Sequence, residues 1–308
     1  MPNPHRPVSH PGPHHTPTPK GHTMTPRIIA DYACHTGENP LWHPDHQCLY
    51  WTDIPAGHLY RYHPATTHHE LCHRDAPIGG FTLQADGSLL LFMAQGAVKS
   101  WNNGHIHTLI DSLPDELDNR FNDVIADPQG RVYCGTMSPP HRKGRLYRLD
   151  PDLTLTTVFD NIGCSNGMGF TRDHKSIYYT DTHTGRIDIC DYHQATGTIT
   201  NRRPFVTIPD GEGKPDGMTV DSYGYVWGAR WDGARIVRYA PDGTLERTIH
   251  LPVPKTSSLT FAGPDYTDIY ITTAGGHNKP AEAPAAGALL HLNLGIPGLP
   301  EHRSRIGL

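Results

Sequence analysis

Residues 120–137 read RFNDVIADPQGRVYCGTM. An apolar run meets a four-residue polar turn, DPQG (127–130), and a second apolar run then ends in small residues. Two short apolar runs flanking a Pro/Gly turn are the signature of antiparallel strands. The second run recurs. HQCLYWTD ends at Asp53, GSLLLFMA at Ala94, GRVYCGT at Thr136, KSIYYTD at Asp181, GYVWGA at Ala229 and TDIYITT at Thr273. The interval is roughly 41 to 48 residues, within the range of propeller blades. A further strand pattern commonly follows, as in GHLYRYHP (57–64), GRLYRLDP (144–151), GRIDICDY (185–192) and ARIVRYAP (234–241). Sustained helical periodicity is absent; the best window, DSLPDELDNRF (111–121), is short and contains Pro114. The expected fold is all-β: a six-bladed β-propeller of four-stranded antiparallel blades around a central channel. A pair of β-sandwiches is the other arrangement considered, and a sixfold period argues against it.

The bulk composition agrees. The 308 residues include 31 glycines and 29 prolines, about a fifth of the chain, against a usual share of roughly 12%. Such a chain makes many turns and short strands. A net charge of −5 without a basic block excludes nucleic acid as an expected partner. No apolar run approaches the ~18 residues of a membrane span. The six cysteines form no CxxC pair and are expected to be reduced, mostly buried thiols of a cytoplasmic protein. Residues 1–26 are rich in Pro and His and nearly free of large apolar side chains, so a disordered extension without a catalytic role is expected there. A single propeller domain is expected over 27–308, with Met24 a candidate native start.

Equivalent positions of every blade ring the channel, so residues distant in sequence converge there. Four polar residues stand just ahead of repeat strands: Glu38 in TGENPLW, Asn122 in RFNDV, Asn166 in CSNGMGF and Asp216 in KPDGMTV. Two carboxylates and two amide oxygens form a hard, oxygen-only donor set suited to Ca²⁺, Mg²⁺ or Mn²⁺. The plainer reading makes Asn166-Gly167 and Asp216-Gly217 ordinary turn formers; four such residues in register with the repeats argue for a site. Pro215 fixes its own φ and Gly217 permits an unusual one, which is expected to aim Asp216 along the channel. Asp53 and Asp181 end equivalent strands. Asp181 at least is expected near the channel, supporting the site from behind; otherwise both cap surface turns.

The stretches GENPLW, RFNDVIADPQGRVYCGTM, SNGMGFTRDHKSIYYTDT, KPDGMTVDSYGYVWGARWDG and GPDYTDIYITTAGG span about residues 34–276. In that order they resemble the senescence marker protein (regucalcin)/gluconolactonase/luciferin-regenerating-enzyme-like family of six-bladed propellers. The resemblance implies one divalent cation held by Glu38, Asn166 and Asp216, its identity open among Ca, Mg, Mn, Zn and Fe(II). It implies that Arg120 and Asn122 contact substrate, and that the reaction is hydrolysis of a sugar-acid lactone. A cation there polarises the ester carbonyl and lowers the pKa of a water, and Asp216 is the candidate base for that water's proton. Two positions depart from the family pattern. NDV stands at 122–124 in place of the commoner NDG, and Ser138-Pro139-Pro140-His141 follows GTM, where some animal members carry an acidic residue. The expected partner is a small sugar lactone, and the expected state a monomer or weak homo-oligomer. The alternative function is a non-catalytic cation-binding or scaffold propeller.

Rival motifs are weaker. GCSNG (163–167) fits the serine-hydrolase elbow, but that motif needs a helix after Ser165, and a strand pattern follows. GEGK (211–214) lacks the Ser or Thr of a phosphate loop. YWTD (50–53) occurs once, and HIH (105–107) reads as an exposed hairpin.

Overall fold

The computed structural model describes residues 25–138 and 143–308. The extension expected to be disordered lies outside the described residues up to Met24, as do Pro139, Pro140 and His141 of the departure after GTM. Six four-stranded antiparallel sheets form a ring, so the molecule is a six-bladed β-propeller. Five blades are built from consecutive strands, running outward from the channel over 37–74, 78–110, 120–162, 165–207 and 214–250. The sixth takes three strands from 256–293 and its outermost strand, Arg27–Asp31, from the other end of the chain. That strand pairs with Ala288–Asn293 and closes the ring. The sequence repeats gave no sign of this closure.

The polar turns of the repeats are turns in which an Asp carboxylate caps the backbone two residues on. Asp86 accepts from Ser88 N at 2.9 Å, Asp127 from Gln129 N at 2.8 Å, Asp173 from Lys175 N at 3.1 Å and Asp221 from Tyr223 N at 2.9 Å. The strands after these turns, such as Leu89–Met93 and Ile269–Thr273 within Asp268–Thr273, are buried on both faces. They therefore read as continuous apolar runs rather than as alternation. Outermost strands face solvent, as His105–Ile110 does, which places HIH in an exposed hairpin. The core is divided among the seams between blades. One seam packs Trp227 and Ile236 of the fifth blade against Phe261, Ile271 and Leu290 of the sixth.

All six innermost strands carry a register shift at the same level: Glu38/Leu41, Ile78/Gly80, Phe121/Val124, Asn166/Met168, Pro215/Met218 and Thr256/Ser258. A bulge adds a residue to one strand and re-aims its side chains. This ring of bulges holds the candidate site. At the opposite end the C-terminal segment crosses the ring, bridging Asp221 to Gly298 and Gln84 to Ser304. Helix in the window 111–121 is limited to a single 3-10 turn, Pro114–Glu116, and the last two residues open the strand Arg120–Ala126. All six cysteines are free thiols, five of them buried. Among the described residues no helix is long and apolar enough to cross a membrane.

Candidate active site

Glu38, Arg120, Asn122, Asn166 and Asp216, which come from four different blades, line one cavity of about 380 Å³. Glu38, Asn122, Asn166 and Asp216 are each 3–5% exposed. Their partners are few. Glu38 Oε2 accepts from Asn39 N at 2.9 Å. Asn122 Nδ2 donates to Ser165 O at 2.8 Å, and its Oδ1 accepts from Arg120 Nη1 at 2.6 Å. Asn166 Nδ2 donates to Asp216 Oδ1 and to Thr182 Oγ1, the latter at 3.0 Å. Arg120 also donates to Phe121 O at 2.9 Å and touches Met137 Sδ at 3.2 Å.

Gly217 serves Asp216 differently from the expectation. Its φ lies outside the left-handed region. A Cβ there would come within 2.2 Å of Ser258 Oγ, so the glycine provides close approach to the sixth blade.

A third carboxylate was missed by sequence reasoning. Asp123 follows Asn122 inside the bulge and lines a narrower cavity of about 60 Å³ further along the channel. Its Oδ1 is buried and has no hydrogen-bond partner. In a regular strand, neighbours point to opposite faces; the bulge removes that alternation. The only hint in the sequence was the adjacency of two polar residues in RFNDV.

The electrostatics follow from this crowding. Burial and the charge of Asp216 push the Glu38 carboxyl well above its usual range, with Asp123 adding to the effect. Burial and Asp123 do the same to Asp216, against the lowering by its hydrogen bond from Asn166. Burial brings Asp123 to about 7, with Arg120 pulling it down. Burial also lowers the Arg120 guanidinium. Three enclosed carboxylates thus face one guanidinium. Desolvated like charges cannot all ionise without a compensating cation. Among the described residues no three His, Cys, Asp or Glu side chains form a metal cage by themselves; the amide side chain of Asn166 lines the same cavity as Glu38 and Asp216.

Asp181 and Asp53 hold the loops ahead of two of these residues. Asp181 accepts from Gly163 N at 3.1 Å and Cys164 N at 3.0 Å, just before Asn166. Asp53 accepts from His35 N and Thr36 N, both at 3.0 Å, just before Glu38. Ser165 is buried, its Oγ accepts from Tyr179 at 3.2 Å, and it opens the strand Ser165–Phe170, so the elbow motif has neither exposure nor helix.

Residues 36–275 match the sequence pattern of the SMP-30/Gluconolactonase/LRE-like region. The chain belongs to this family. A protein of Haloferax volcanii named pentonolactonase XacC is 44% identical over 295 residues, covering 92% of this chain and all of that protein. Regucalcin of Xenopus laevis is 36% identical, covering 77% of this chain and 83% of its own length. The solved structure of luciferin-regenerating enzyme superposes with a TM-score of 0.82 at 27% identity, covering 91% of this chain and 100% of that one.

Proposed function

We propose that this family member is a lactonase that opens a small sugar-acid lactone to its aldonic acid, using a divalent cation held by Glu38, Asn166 and Asp216. The observation that carries the reading is the pair of buried carboxylates, Glu38 and Asp216, lining with one guanidinium, Arg120, a cavity sized for a small molecule. The donor set fits the ion: two carboxylates and an amide oxygen, with Asp123 close enough to add charge. A bound cation supplies Lewis acidity at the lactone carbonyl and makes a water easier to deprotonate. The similarity to a protein named pentonolactonase supports the lactone as substrate class.

The chain's own residues divide the remaining work. Asp216 accepts the proton of the attacking water. Before a cation binds, the hydrogen bond from Asn166 holds the direction of the Asp216 carboxylate. For Asn166 to present oxygen to a cation its amide turns over, which releases that contact. Arg120, fixed by Phe121 O and Asn122 Oδ1, directs positive charge toward the oxygens of the substrate.

The similarity to proteins named regucalcin favours a second reading, cation binding without catalysis. A panel of pentono- and hexonolactones, assayed for acid release with and without chelator, separates the two. Chelator-sensitive hydrolysis is expected. A protein that binds cation by calorimetry and releases acid from no lactone supports the second reading.

A further inference from the structure

The cavity has a wall that the cation chemistry does not use. Trp231 ends the strand Val226–Trp231 and lines the same cavity as the carboxylates Glu38 and Asp216. Of the five tryptophans it is the one left partly exposed; Trp42, Trp51, Trp101 and Trp227 are 4%, 1%, 3% and 0% exposed. Its register partner across the hairpin is Lys214, two residues before Asp216. Lys214 also lines the cavity, and its exposed side chain has no ion-pair partner among the described residues. A second lysine, Lys255, lies 5.9 Å from the Trp231 ring centroid and is held by Glu282 and Asp232. The cavity opens past Thr182, His183 and Lys214 into an adjoining cleft.

An indole set in a cavity wall is an unusual use of a large apolar side chain, because burying it in a seam would stabilise the fold more. It suits a ligand with one apolar face. A sugar lactone has one: ring C–H bonds, slightly positive, that pack on the negative face of an aromatic ring. The hydroxyls at the ring edge then need donors, and the ammonium of Lys214 offers three.

We propose that Trp231 is the stacking platform for the sugar ring and that Lys214 binds the hydroxyls at its distal end, a subsite that selects polyhydroxylated lactones over plain aliphatic ones. It rests on the lactonase reading for the identity of the ligand. The platform itself can be read without turnover.

The test uses tryptophan emission and kinetics on the whole protein loaded with Mg²⁺ or Ca²⁺. The probes are a pentono-1,4-lactone, its open-chain pentonate and γ-butyrolactone. Saturable change in emission is expected with the pentonate and absent with γ-butyrolactone. Trp231→Phe should abolish that change. Trp231→Leu should raise KM for the pentonolactone about tenfold with kcat little changed, and Trp231→Phe less. Lys214→Met should raise KM for the pentonolactone and not for γ-butyrolactone. An emission change that persists in Trp231→Phe overturns the proposal, as does an unchanged KM in Trp231→Leu. If no lactone is hydrolysed but pentonate still shifts the emission through Trp231, the platform stands and the lactonase reading falls. If wild type hydrolyses lactones with no emission change, the platform falls alone; if neither is seen, both fall.

Discussion

Asp221 and Asp216 lie five residues apart in one blade, both buried, and they live in opposite surroundings. Asp221 is 0% exposed and fully partnered. It accepts from Arg238 at 2.6 and 2.8 Å, from Trp227 Nε1 at 2.9 Å, and from the backbone of Tyr223 and Tyr225. Asp127 repeats the arrangement in the third blade, with Arg131 Nε at 2.6 Å and Tyr192 at 2.8 Å. Asp216 instead shares one guanidinium with Glu38 and Asp123, and burial pushes it up. A buried charge that has its own partner is framework; a cluster left short of partners is strained and waits for a ligand. The same residue type in the same repeat thus sits in two environments, and the partner count tells them apart.

The largest effect should come from breaking the poorly partnered side. Asp216→Asn keeps an oxygen donor but cannot take the proton of the water. Lactone hydrolysis should fall about 10²–10⁴-fold, and saturating metal should not restore it. Glu38→Gln removes one anionic donor at constant size, so its activity should partly recover with excess cation. Hydrolysis measured against metal concentration, with bound metal determined separately, compares the two. Recovery of Asp216→Asn to near the wild-type rate would reduce Asp216 to a ligand.

On the well-partnered side the loss should be of stability. Asp221→Asn takes the nearer carboxylate from the Arg238 guanidinium, which is 8% exposed and keeps only Glu246, at 3.3 Å. Breaking a buried pair in this way costs about 3–5 kcal/mol, readable by denaturant melting of the metal-loaded protein. Cation affinity should stay within about twofold. A tenfold loss of affinity would mean that the two regions are coupled.

A smaller effect sharpens the comparison through pH. In the metal-free folded protein Asp123 keeps its proton up to about pH 7, whereas in the unfolded chain it ionises near ~3.9. Between those values the folded state binds more protons than the unfolded one. The stability that Asp123 contributes to the metal-free protein should therefore be fully present below about pH 4 and be lost as pH rises toward 7. Asp123→Asn should flatten that slope, and so should saturating Mg²⁺ or Ca²⁺. Thermal melts across this range check it; an equally steep slope in Asp123→Asn would assign the proton elsewhere.

The blades were legible because each repeat strand is buried on both faces and each turn is punctuated by Asp, Pro or Gly. Closure by Arg27–Asp31 was not, since an outermost strand is half solvated and carries no repeat mark. The convergence of Glu38, Asn122, Asn166 and Asp216 followed from their common place in the repeat. Asp123 and Trp231 escaped for different reasons. A bulge breaks the alternation from which facing is inferred, and a cavity-wall tryptophan looks in sequence like any strand-ending aromatic. Gly217 was read for its φ, when its missing side chain is what the sixth blade requires.

Asp181 stands between the two extremes and gives the smallest test. Its partners are neither guanidinium nor open cavity, but backbone N–H groups of the loop that delivers Asn166. It also caps the 3-10 turn Thr182–Thr184, whose Thr182 Oγ1 accepts from Asn166 and donates to Pro215 O at 3.0 Å. One carboxylate therefore orders both sides of the Asn166 amide. Asp181→Ala should leave the blades intact, because the strand Ser176–Asp181 is pinned by its neighbours along its whole length. Cation affinity should fall about tenfold, the lower end of what loss of a supporting residue behind a ligand costs. Turnover should recover at saturating metal, unlike that of Asp216→Asn. Calorimetric titration of Mg²⁺ or Ca²⁺ into both proteins measures this. Unaltered affinity together with unaltered turnover would place Asp181 with Asp127 and Asp221, as framework alone.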